Sequence, residues 1–425
     1  MASIGTPPFV ALVDSYSTGN FLPPAFARLG VDAVHVQSTP ELMPSMLGPD
    51  LGAYRGSFVS ADADGFSATA AELASLDVRA VVAGQEPGVP LADALSERLG
   101  LATNGSALSR ARRDKFEMIE TLRAAGIRTA RQFKSGDARS VAAWAEEHGT
   151  YPVVVKPLSS ASTDHVFICD DAAATEAAAR QVLAARDIFD LPNTEVLVQS
   201  FLAGTEYIVD TVSADGRAYV CGVWQYEKTV VGSGKRIYDR DVLLAPDAAP
   251  VPELIAYVRT VLDALGIRNG PAHAEVILTP EGPALVEIGA RLNGNMNPAF
   301  HDLCLGTNQA DLTALAYARP QEFLERHADG VYTKRQDAVV HNTRTIADGV
   351  VEAVDQNVVD KIASLPTVHL VSVKLAPGKR IRPTVDLLTS PLRIFMTGGD
   401  SAALRADHRA IQDLKDEVYV VRAGS

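Results

Sequence analysis

Residues 271–297 read PAHAEVILTPEGPALVEIGARLNGNMN and predict two short strands, Ala274–Leu278 and Ala284–Ile288, joined by a turn. Each strand carries one carboxylate, Glu275 or Glu287, among apolar residues. Burying an ionised glutamate is costly unless a positive charge pairs with it. The stretch therefore predicts a hairpin with a chemical role beyond core packing.

The turn decides whether the two carboxylates share a face of the hairpin. If residues 280–282 form a three-residue loop with its glycine in the left-handed conformation, Glu275 lies directly opposite Glu287. Two like charges there repel, and a divalent cation is the natural third member. Mg²⁺ favours such hard oxygen ligands, with Mn²⁺ as an alternative. A two-residue turn would instead separate the carboxylates onto opposite faces, and two solvated surface glutamates are the competing interpretation.

Length, charge and cysteine content limit the classes of protein to which this chain can belong. The chain has 425 residues, which predicts several domains, and a net charge of −13, which argues against a nucleic-acid surface. No apolar run approaches membrane-spanning length. Three scattered cysteines, Cys169, Cys221 and Cys304, suit a reducing compartment. We expect a cytoplasmic protein that binds neither nucleic acid nor membranes.

The first hundred residues carry a strand–helix–strand pattern. Phe9–Val13 and Ala33–Val36 are predicted strands on either side of a helix at Phe21–Leu29, and Arg79–Ala83 begins a second such unit. This pattern predicts an open α/β domain. Because loops at the carboxyl ends of such strands tend to hold ligands, Glu86 is a candidate substrate contact. A solvated loop acid explains it equally well.

Two lysines stand where they would meet a phosphate. Lys115 lies in a helix predicted over 109–125, beside its apolar stripe. Lys156 closes the apolar strand 151–157 and precedes a hydroxyl-rich run, 158–163, which together suit a phosphate cradle. Each is also compatible with an ordinary solvated lysine.

The stretch after residue 195 suits a nucleoside. A short strand, 195–199, leads into Phe201 and Leu202, and Glu206 follows a glycine turn. A flat base would fit against the two apolar residues while Glu206 takes sugar hydroxyls. A hairpin without a ligand is the alternative. The GSGK at 232–235 lacks the spacing of a phosphate-binding P-loop.

Taken together, these motifs resemble the ATP-grasp superfamily and, within it, the L-amino-acid ligases that join unprotected amino acids. The resemblance covers roughly residues 75–315 with definable motifs, of which HAEV and VEIGARLNG are the most family-like. It implies a lid loop at 159–163 and an Asp-Lys pair at 114–115. The nucleotide contacts that it implies are Lys115, Lys156, Ser160, Gln199, Phe201, Leu202 and Glu206.

The resemblance also implies a catalytic hairpin. Glu275 and Glu287 are then the metal ligands, and Arg291, four residues after the second acid, is the catalytic group that stabilises an oxyanion. Many family members carry a further metal ligand, an asparagine, where this chain has Gly289. The lid also contains no glycine. The implied substrate contacts are Glu86, Lys228, His273, Asn293, Gly294 and Asn295.

The implied fold is α/β and α+β multidomain, an ATP-grasp fold with two flanking domains. Residues 1–110 form an N-terminal open α/β, or pre-ATP-grasp, domain. Residues 111–205 form the small lid subdomain and 206–325 the catalytic subdomain. Residues 326–425 form a small C-terminal α+β domain.

The implied activity is ATP- and Mg²⁺-dependent ligation of a carboxylate to an amine. An acylphosphate forms and an amide follows, between amino acids or related small acids, with release of ADP and phosphate. The partners are small-molecule acids and amines, and a homodimer is common in the resembled family. The alternatives are a carboxylase, a transformylase, a cyclising ligase or a nucleotide-binding module without turnover.

Overall fold

The first sheet lies in the N-terminal hundred residues. The computed structural model describes residues 8–43, 46–148, 150–158, 165–186, 191–230 and 236–423. The first elements are β1 (Phe9–Val13), α1 (Leu22–Arg28), β2 (Asp32–Gln37), β3 (Ser57–Val59), α2 (Ala63–Ser75), β4 (Val78–Ala83) and α3 (Val89–Leu99). The four strands are parallel in the order β3-β2-β1-β4. The predicted open α/β architecture is confirmed.

Glu86 follows the carboxyl end of β4. It begins a short 3-10 turn, Glu86–Gly88, that leads directly into α3. Because parallel strands end at one edge of the sheet, this turn lies where such folds bind ligands.

A second, antiparallel sheet follows a connecting helix. Its elements, after α4 (Lys115–Ala124), are β5 (Gln132–Ser135), α5 (Ala138–His148), β6 (Val153–Pro157), β7 (Phe167–Cys169), α6 (Ala172–Ala184) and β8 (Val196–Ser200). The strand order is β5-β8-β6-β7. Val141 of α5 and Ala179 of α6 pack with Val153 and Val155 in one core.

Helix α4 begins later than the sequence predicts. Asp114 is its N-cap and accepts hydrogen bonds from the backbone N–H groups of Phe116 and Glu117 at 2.9 and 3.1 Å. Residues 106–113 form turns instead. An aspartate at the N-cap satisfies the unpaired N–H groups of a helix start, so the predicted start at 109 is wrong. Lys115 is consequently the first helical residue.

The third sheet is the largest and is antiparallel. Its elements in the middle of the chain are β9 (Thr205–Ala214), β10 (Arg217–Val230), β11 (Arg236–Leu243), α7 (Val251–Ala264), β12 (Gly270–Thr279), β13 (Gly282–Gly289), α8 (Pro298–Leu305), α9 (Gln309–Ala318) and α10 (Pro320–His327). The strand order begins β13-β12-β9-β10-β11.

The C-terminal residues extend this same sheet. Their elements are β14 (Asp337–Asn342), β15 (Gly349–Val354), α11 (Gln356–Ala363), β16 (Val368–Val373), β17 (Arg380–Ile381), β18 (Leu392–Gly398), α12 (Ser401–Leu414) and β19 (Tyr419–Ala423). Strand β14 pairs with β11, and β18 and β16 follow, which makes eight strands in all. The remaining strands form a small sheet in the order β17-β15-β19.

The two faces of the large sheet differ in character along β12 and β13. Ala274 and Val276 are buried in a core that also contains Met118 of α4 and Leu262 of α7. Alternate residues of a strand point to opposite faces, so Glu275 lies on the other face.

Helix α9 covers the far end of that other face, where Val212 of β9 packs with Leu312. Glu275 therefore lies on the face of the sheet away from α4 and α7, and α9 covers only the far end of that face. Within the described part of the chain, no helix is long and apolar enough to cross a membrane.

Candidate active site

The hairpin turn differs from the prediction. Thr279 pairs with Gly282, so Pro280 and Glu281 form a two-residue turn. The φ of Gly282 is +113°, a backbone conformation that favours glycine. The predicted three-residue loop is therefore wrong, and a regular ladder from this turn would have separated the two carboxylates.

A β-bulge restores the predicted pairing. Val276 pairs with Leu285, but the next pair is Glu275 with Glu287, so Val286 is the extra residue. An extra residue in one strand shifts every later side chain to the opposite face. Glu275 and Glu287 consequently oppose each other and share a face, as predicted. The bulge, and not the turn, produces this pairing.

Both predicted lysines lie at this carboxylate pair. Lys115 Nζ is 2.5 Å from Glu287 Oε2, and Lys156 is buried close enough to both glutamates to interact electrostatically. Burial and the nearby Lys115 lower the pKa of Lys156 to about 8, although Glu287 and Glu275 oppose the shift. Burial acts against the charge of Lys115 as well, yet Glu287 and Glu86 raise its pKa above the ordinary value.

His273 connects Asp210 to Glu275 through one buried hydrogen bond and one ion pair. Its Nδ1 is 2.7 Å from Asp210 Oδ1, and its Nε2 is 3.6 Å from Glu275 Oε1. Burial opposes protonation, but Asp210 and Glu275 raise the pKa of His273 to about 9, so it is an imidazolium at neutral pH. Asn293 Nδ2 donates to the other oxygen of Asp210 at 2.8 Å. His273 and Asn293 thus have partners within the protein.

Arg291 joins the hairpin to the N-terminal sheet. Its Nη2 is 3.5 Å from Glu86 Oε2, and its Nη1 donates to the carbonyl of Leu292 at 3.0 Å. Arg113 Nη1 lies 2.9 Å from the other oxygen of Glu86. Burial favours the neutral acid, but Arg113 and Arg291 outweigh it and lower the pKa of Glu86 to about 2. Glu86 is therefore an ionised carboxylate at the site.

Arg291 also carries an unused donor. Among the described residues, its buried Nε has no hydrogen-bond partner. A buried N–H without a partner is costly, so this group is suited to an anionic ligand.

The other predicted nucleotide contacts lie away from the hairpin: Glu206 of β9 is on the same face as Glu275, and Gln199, Phe201 and Leu202 lie at and after the end of β8 in the second sheet. Glu206 is buried and forms an ion pair with Lys228, so Lys228 lies beside Glu206 at the end predicted for the nucleotide. Gln199 Nε2 donates to Gln132 Oε1 at 2.9 Å. Phe201 is 38% exposed, and Leu202 is half-buried. Ser160, with residues 159–164, falls outside the residues that the structure describes.

Gly204 lies where residues 199–202, the segment predicted to contact the adenine and called here the adenine hinge, meet the large sheet. A Cβ at this position would lie 2.0 Å from the carbonyl oxygen of Leu278 in β12. This close approach requires glycine and places the exit of β8 directly against β12. The predicted adenine hinge and the catalytic hairpin are thereby adjacent.

The remaining substrate candidates lie past Arg291. Asn295 Nδ2 donates to Asp241 Oδ2 at 2.7 Å, and the carbonyl of Gly294 accepts from Arg393 Nη1 at 3.3 Å. Gly294 is exposed and Asn295 half-buried, so both lie at the opening of the site.

Sequence reasoning missed Asp210, Asp241, Tyr226 and Arg393. Asp210 carried a usable signal, because it stands between apolar strand residues and Thr211, much as Glu275 stands among apolar residues, whereas Asp241 follows Asp239 and Arg240 in a charged run and carried none. The tyrosine and the arginine carried none, since strands commonly bear such residues. Arg393 comes from a strand about a hundred residues after the hairpin.

Several known proteins are similar to this chain in sequence. A sequence model of the ATP-grasp domain matches residues 149–298. The chain is 34% identical to dapdiamide A synthase of Enterobacter agglomerans over 424 residues, which cover 99% of this chain and 98% of that protein. The chain belongs to the ATP-grasp superfamily. Alanine–anticapsin ligase of Bacillus subtilis (strain 168) is a further ATP-grasp relative, 24% identical over 358 residues, or 76% of this chain and 73% of that ligase.

Solved structures show that the ATP-grasp fold extends over the whole chain. L-amino acid ligase from Bacillus licheniformis superposes with a TM-score of 0.75 at 19% identity, covering 98% of this chain and 99% of that one. Phosphoribosylglycinamide synthetase from Anaerococcus prevotii superposes with a TM-score of 0.66 at 13% identity, covering 98% and 99%. The predicted ATP-grasp fold and the L-amino-acid-ligase type are confirmed. So is the class of activity, ATP-dependent carboxylate–amine ligation.

Proposed function

We propose that this ligase activates an amino acid or a related small acid as an acylphosphate and joins it to the amino group of a second amino acid. Two similar proteins bear names that state such substrates, alanine–anticapsin ligase and L-amino acid ligase. The observation that carries the proposal is the opposed pair Glu275 and Glu287, with Lys115 and Arg291 beside it.

The chemistry explains why ATP is consumed. A carboxylate resists attack by an amine because its leaving group would be an oxide ion. Transfer of the γ-phosphoryl group converts that oxygen into a phosphate leaving group. Lys115 and Lys156 are buried cations that would offset the charge of the phosphates during the transfer.

The carboxylate pair fits a divalent cation. Glu275 and Glu287 offer hard oxygen ligands on one face, and a cation, the ammonium of Lys115, already lies against Glu287. Burial alone would raise the pKa of Glu275, but His273, Arg291 and Lys115 hold it below the ordinary value, so Glu275 is ionised and able to act as a ligand. We assign both glutamates to Mg²⁺, which supplies charge neutralisation at the phosphates when bound.

Arg291 is assigned to the reacting acyl group. Its Nε, which has no hydrogen-bond partner in the part of the chain that the structure describes, and its contact with Glu86 suit the developing oxyanion of the tetrahedral intermediate. Glu86, ionised at neutral pH, would bind the ammonium of the activated amino acid on the N-terminal side.

The nucleotide is assigned to the other end of the sheet face. Phe201 and Leu202 would contact the adenine, Gln199 would bind its polar edge, and Glu206 would accept hydrogen bonds from the ribose. Because Glu206 is now paired with Lys228, the ribose would share or replace that contact.

A matrix of amino-acid pairs tests this function. Purified protein is incubated with ATP, Mg²⁺ and each pair, and phosphate release is measured together with product mass. We expect at least one pair to release one phosphate for each amide formed. Protein that binds ATP but releases no phosphate with any pair of amino acids or small acids would overturn the proposal.

A further inference from the structure

Asp241 is a buried carboxylate on the face of the large sheet that carries the site. It pairs across the strands with Tyr226, whose hydroxyl is 3.4 Å from Glu275 Oε1. Directly opposed residues share a face, so Asp241 lies on the same face as Tyr226. It is one strand further than Tyr226 from Glu275 and Glu287. Its side chain is only 2% exposed.

The two oxygens of Asp241 differ in their surroundings. Oδ2 accepts a hydrogen bond from Asn295 at 2.7 Å. Oδ1 is buried and has no hydrogen-bond partner among the residues that the structure describes. Burial raises the pKa of Asp241 to about 7, although Asn295, Arg393 and His273 act against the shift and Glu275 adds to it. A carboxylate with an unused buried oxygen is suited to a donor that the protein does not supply.

Arg393 brings a positive charge to the same place from the C-terminal strand β18. Its Nη1 donates to the carbonyl of Gly294 at 3.3 Å, and its Nε donates to Asn342 Oδ1 at 3.2 Å. Burial lowers its pKa, whereas Asp241 and Tyr226 act in the opposite direction. Gly294, which Arg393 contacts, is next in the chain to the half-buried Asn295, which contacts Asp241, so the guanidinium and the carboxylate meet the same short segment.

Asp241 and Arg393 belong to the large sheet, whereas Glu86 follows a strand of the N-terminal sheet. Glu86 belongs to the N-terminal sheet and contacts Arg291, whereas Asp241 and Arg393 reach the site from β11 and β18. A ligase must hold its two substrates on opposite sides of the acyl carbon. With the activated acid beside Glu86, the second amino acid has to approach from the C-terminal side.

We propose that Asp241 and Arg393 form the subsite of the attacking amino acid, in which Asp241 binds its ammonium and accepts its proton while Arg393 binds its carboxylate. This inference rests on the proposed function. Asp241 would thus be a catalytic residue, because it touches the reacting nitrogen.

Amide formation removes two protons from the attacking ammonium. An ammonium has no lone pair, so one proton first moves to the Asp241 carboxylate. The neutral nitrogen then bonds to the acyl carbon, and the carbon–oxygen bond to phosphate breaks. The phosphate leaves with that electron pair and takes the second proton of the nitrogen, which gives the amide and hydrogen phosphate.

Hydroxylamine separates this step from activation. It is largely unprotonated at neutral pH and traps acylphosphates as hydroxamates without needing a subsite. In Asp241→Asn, we expect hydroxamate formation from acid and ATP within about threefold of the wild type, and amide formation from an amino acid reduced by about 100-fold or more. Asp337→Asn, a half-buried acid on β14, is the control and should retain both.

The outcomes are distinct. Equal loss of both products in a folded Asp241→Asn, or full retention of both, would overturn the assignment of Asp241. Wild-type protein that forms neither hydroxamate nor amide with any acid would instead overturn the proposed function.

Arg393→Gln tests the carboxylate contact independently of Asp241. We expect the KM for the attacking amino acid to rise by about tenfold or more, while the KM for the corresponding amino-acid amide, which lacks that carboxylate, changes little. Arg380→Gln, at an exposed surface ion pair with Asp348, is the matched control. An equal rise for amino acid and amide would overturn this assignment even if Asp241→Asn failed to fold.

Discussion

The buried charges of the site neutralise one another before a ligand binds. Glu287 contacts Lys115, and Glu275 faces the imidazolium of His273. Burying either carboxylate alone would be strongly unfavourable, so each pairing stabilises the ionised carboxylate in its buried position. A bound ATP would add negative charge to this arrangement. Lys115 and Lys156 are the groups whose positive charge would offset it.

We expect Lys156 to make ATP binding depend on pH. Its pKa is lowered to about 8, so the ammonium is present below pH 8 and is lost above it. Affinity for a non-hydrolysable ATP analogue should therefore weaken by about tenfold between about pH 7 and about pH 9. Calorimetric titration at the two pH values measures this.

The matched variants identify the lysine responsible. Lys156→Arg keeps its charge across this range and should flatten the pH dependence. Lys361→Arg, on the exposed surface of α11, should leave it unchanged. A pH dependence in Lys156→Arg as steep as that of the wild type would show that another group is titrating.

At the residue scale, the sequence identified most of the charged groups because isolated carboxylates in apolar strands demand partners. It could not predict which groups would pair. Lys228 lies beside Glu206, and Asn293 is bonded to Asp210. Lys228 and Glu206 lie on the consecutive strands β10 and β9, whereas Asn293 and Asp210 are 83 residues apart, and neither contact leaves a local pattern in the sequence.

At the scale of the element, the hairpin shows how one residue sets the chemistry. Its two-residue turn would separate the carboxylates, and the bulge at Val286 brings Glu287 back opposite Glu275. Bulges reorient side chains near active sites, but no composition cue marks this one. The pairing was therefore predictable from the need for two cooperating acids, whereas the turn and the bulge were not.

Exchanging the bulge residue with its neighbour tests this register. The double variant Val286→Glu with Glu287→Val keeps the composition and moves the carboxylate by one position. If the bulge is as described, phosphate release should fall by about 100-fold or more, because the acid no longer lies opposite Glu275.

Val286→Gln is the control for a polar residue at the bulge and should remain active. Retained activity in the exchanged protein would mean that position 286, not 287, faces the site. The assay is substrate-dependent phosphate release at saturating ATP.

At the scale of the whole molecule, the large sheet unites the catalytic and C-terminal regions. Strand β14 pairs with β11, and Phe395 of β18 packs on Phe300 of α8 with ring centroids 5.2 Å apart. The motifs predict an order of domains with a boundary at 326. The sheet that continues across this boundary was not predictable, because such strand pairing is non-local and leaves no periodic signal.

Truncation tests how far the C-terminal region is needed for folding. A chain ending at residue 327 loses the strand partner of β11 and uncovers Phe300. We expect little soluble protein and no cooperative thermal unfolding, because an exposed edge strand and apolar surface favour aggregation. A chain ending at residue 423 is the control. A soluble truncated chain with a sharp unfolding transition would show that the two regions fold separately.

The most direct test of the central claim compares two glutamates of one hairpin. Glu287 belongs to the opposed pair, whereas Glu281 lies at the turn, 71% exposed, and contacts Arg128. With ATP, Mg²⁺ and a productive pair of amino acids, Glu287→Gln should release phosphate at least about 100-fold more slowly than the wild type. Glu281→Gln should stay within about twofold. Phosphate release by Glu287→Gln at the wild-type rate would contradict the assignment of this hairpin as the catalytic centre.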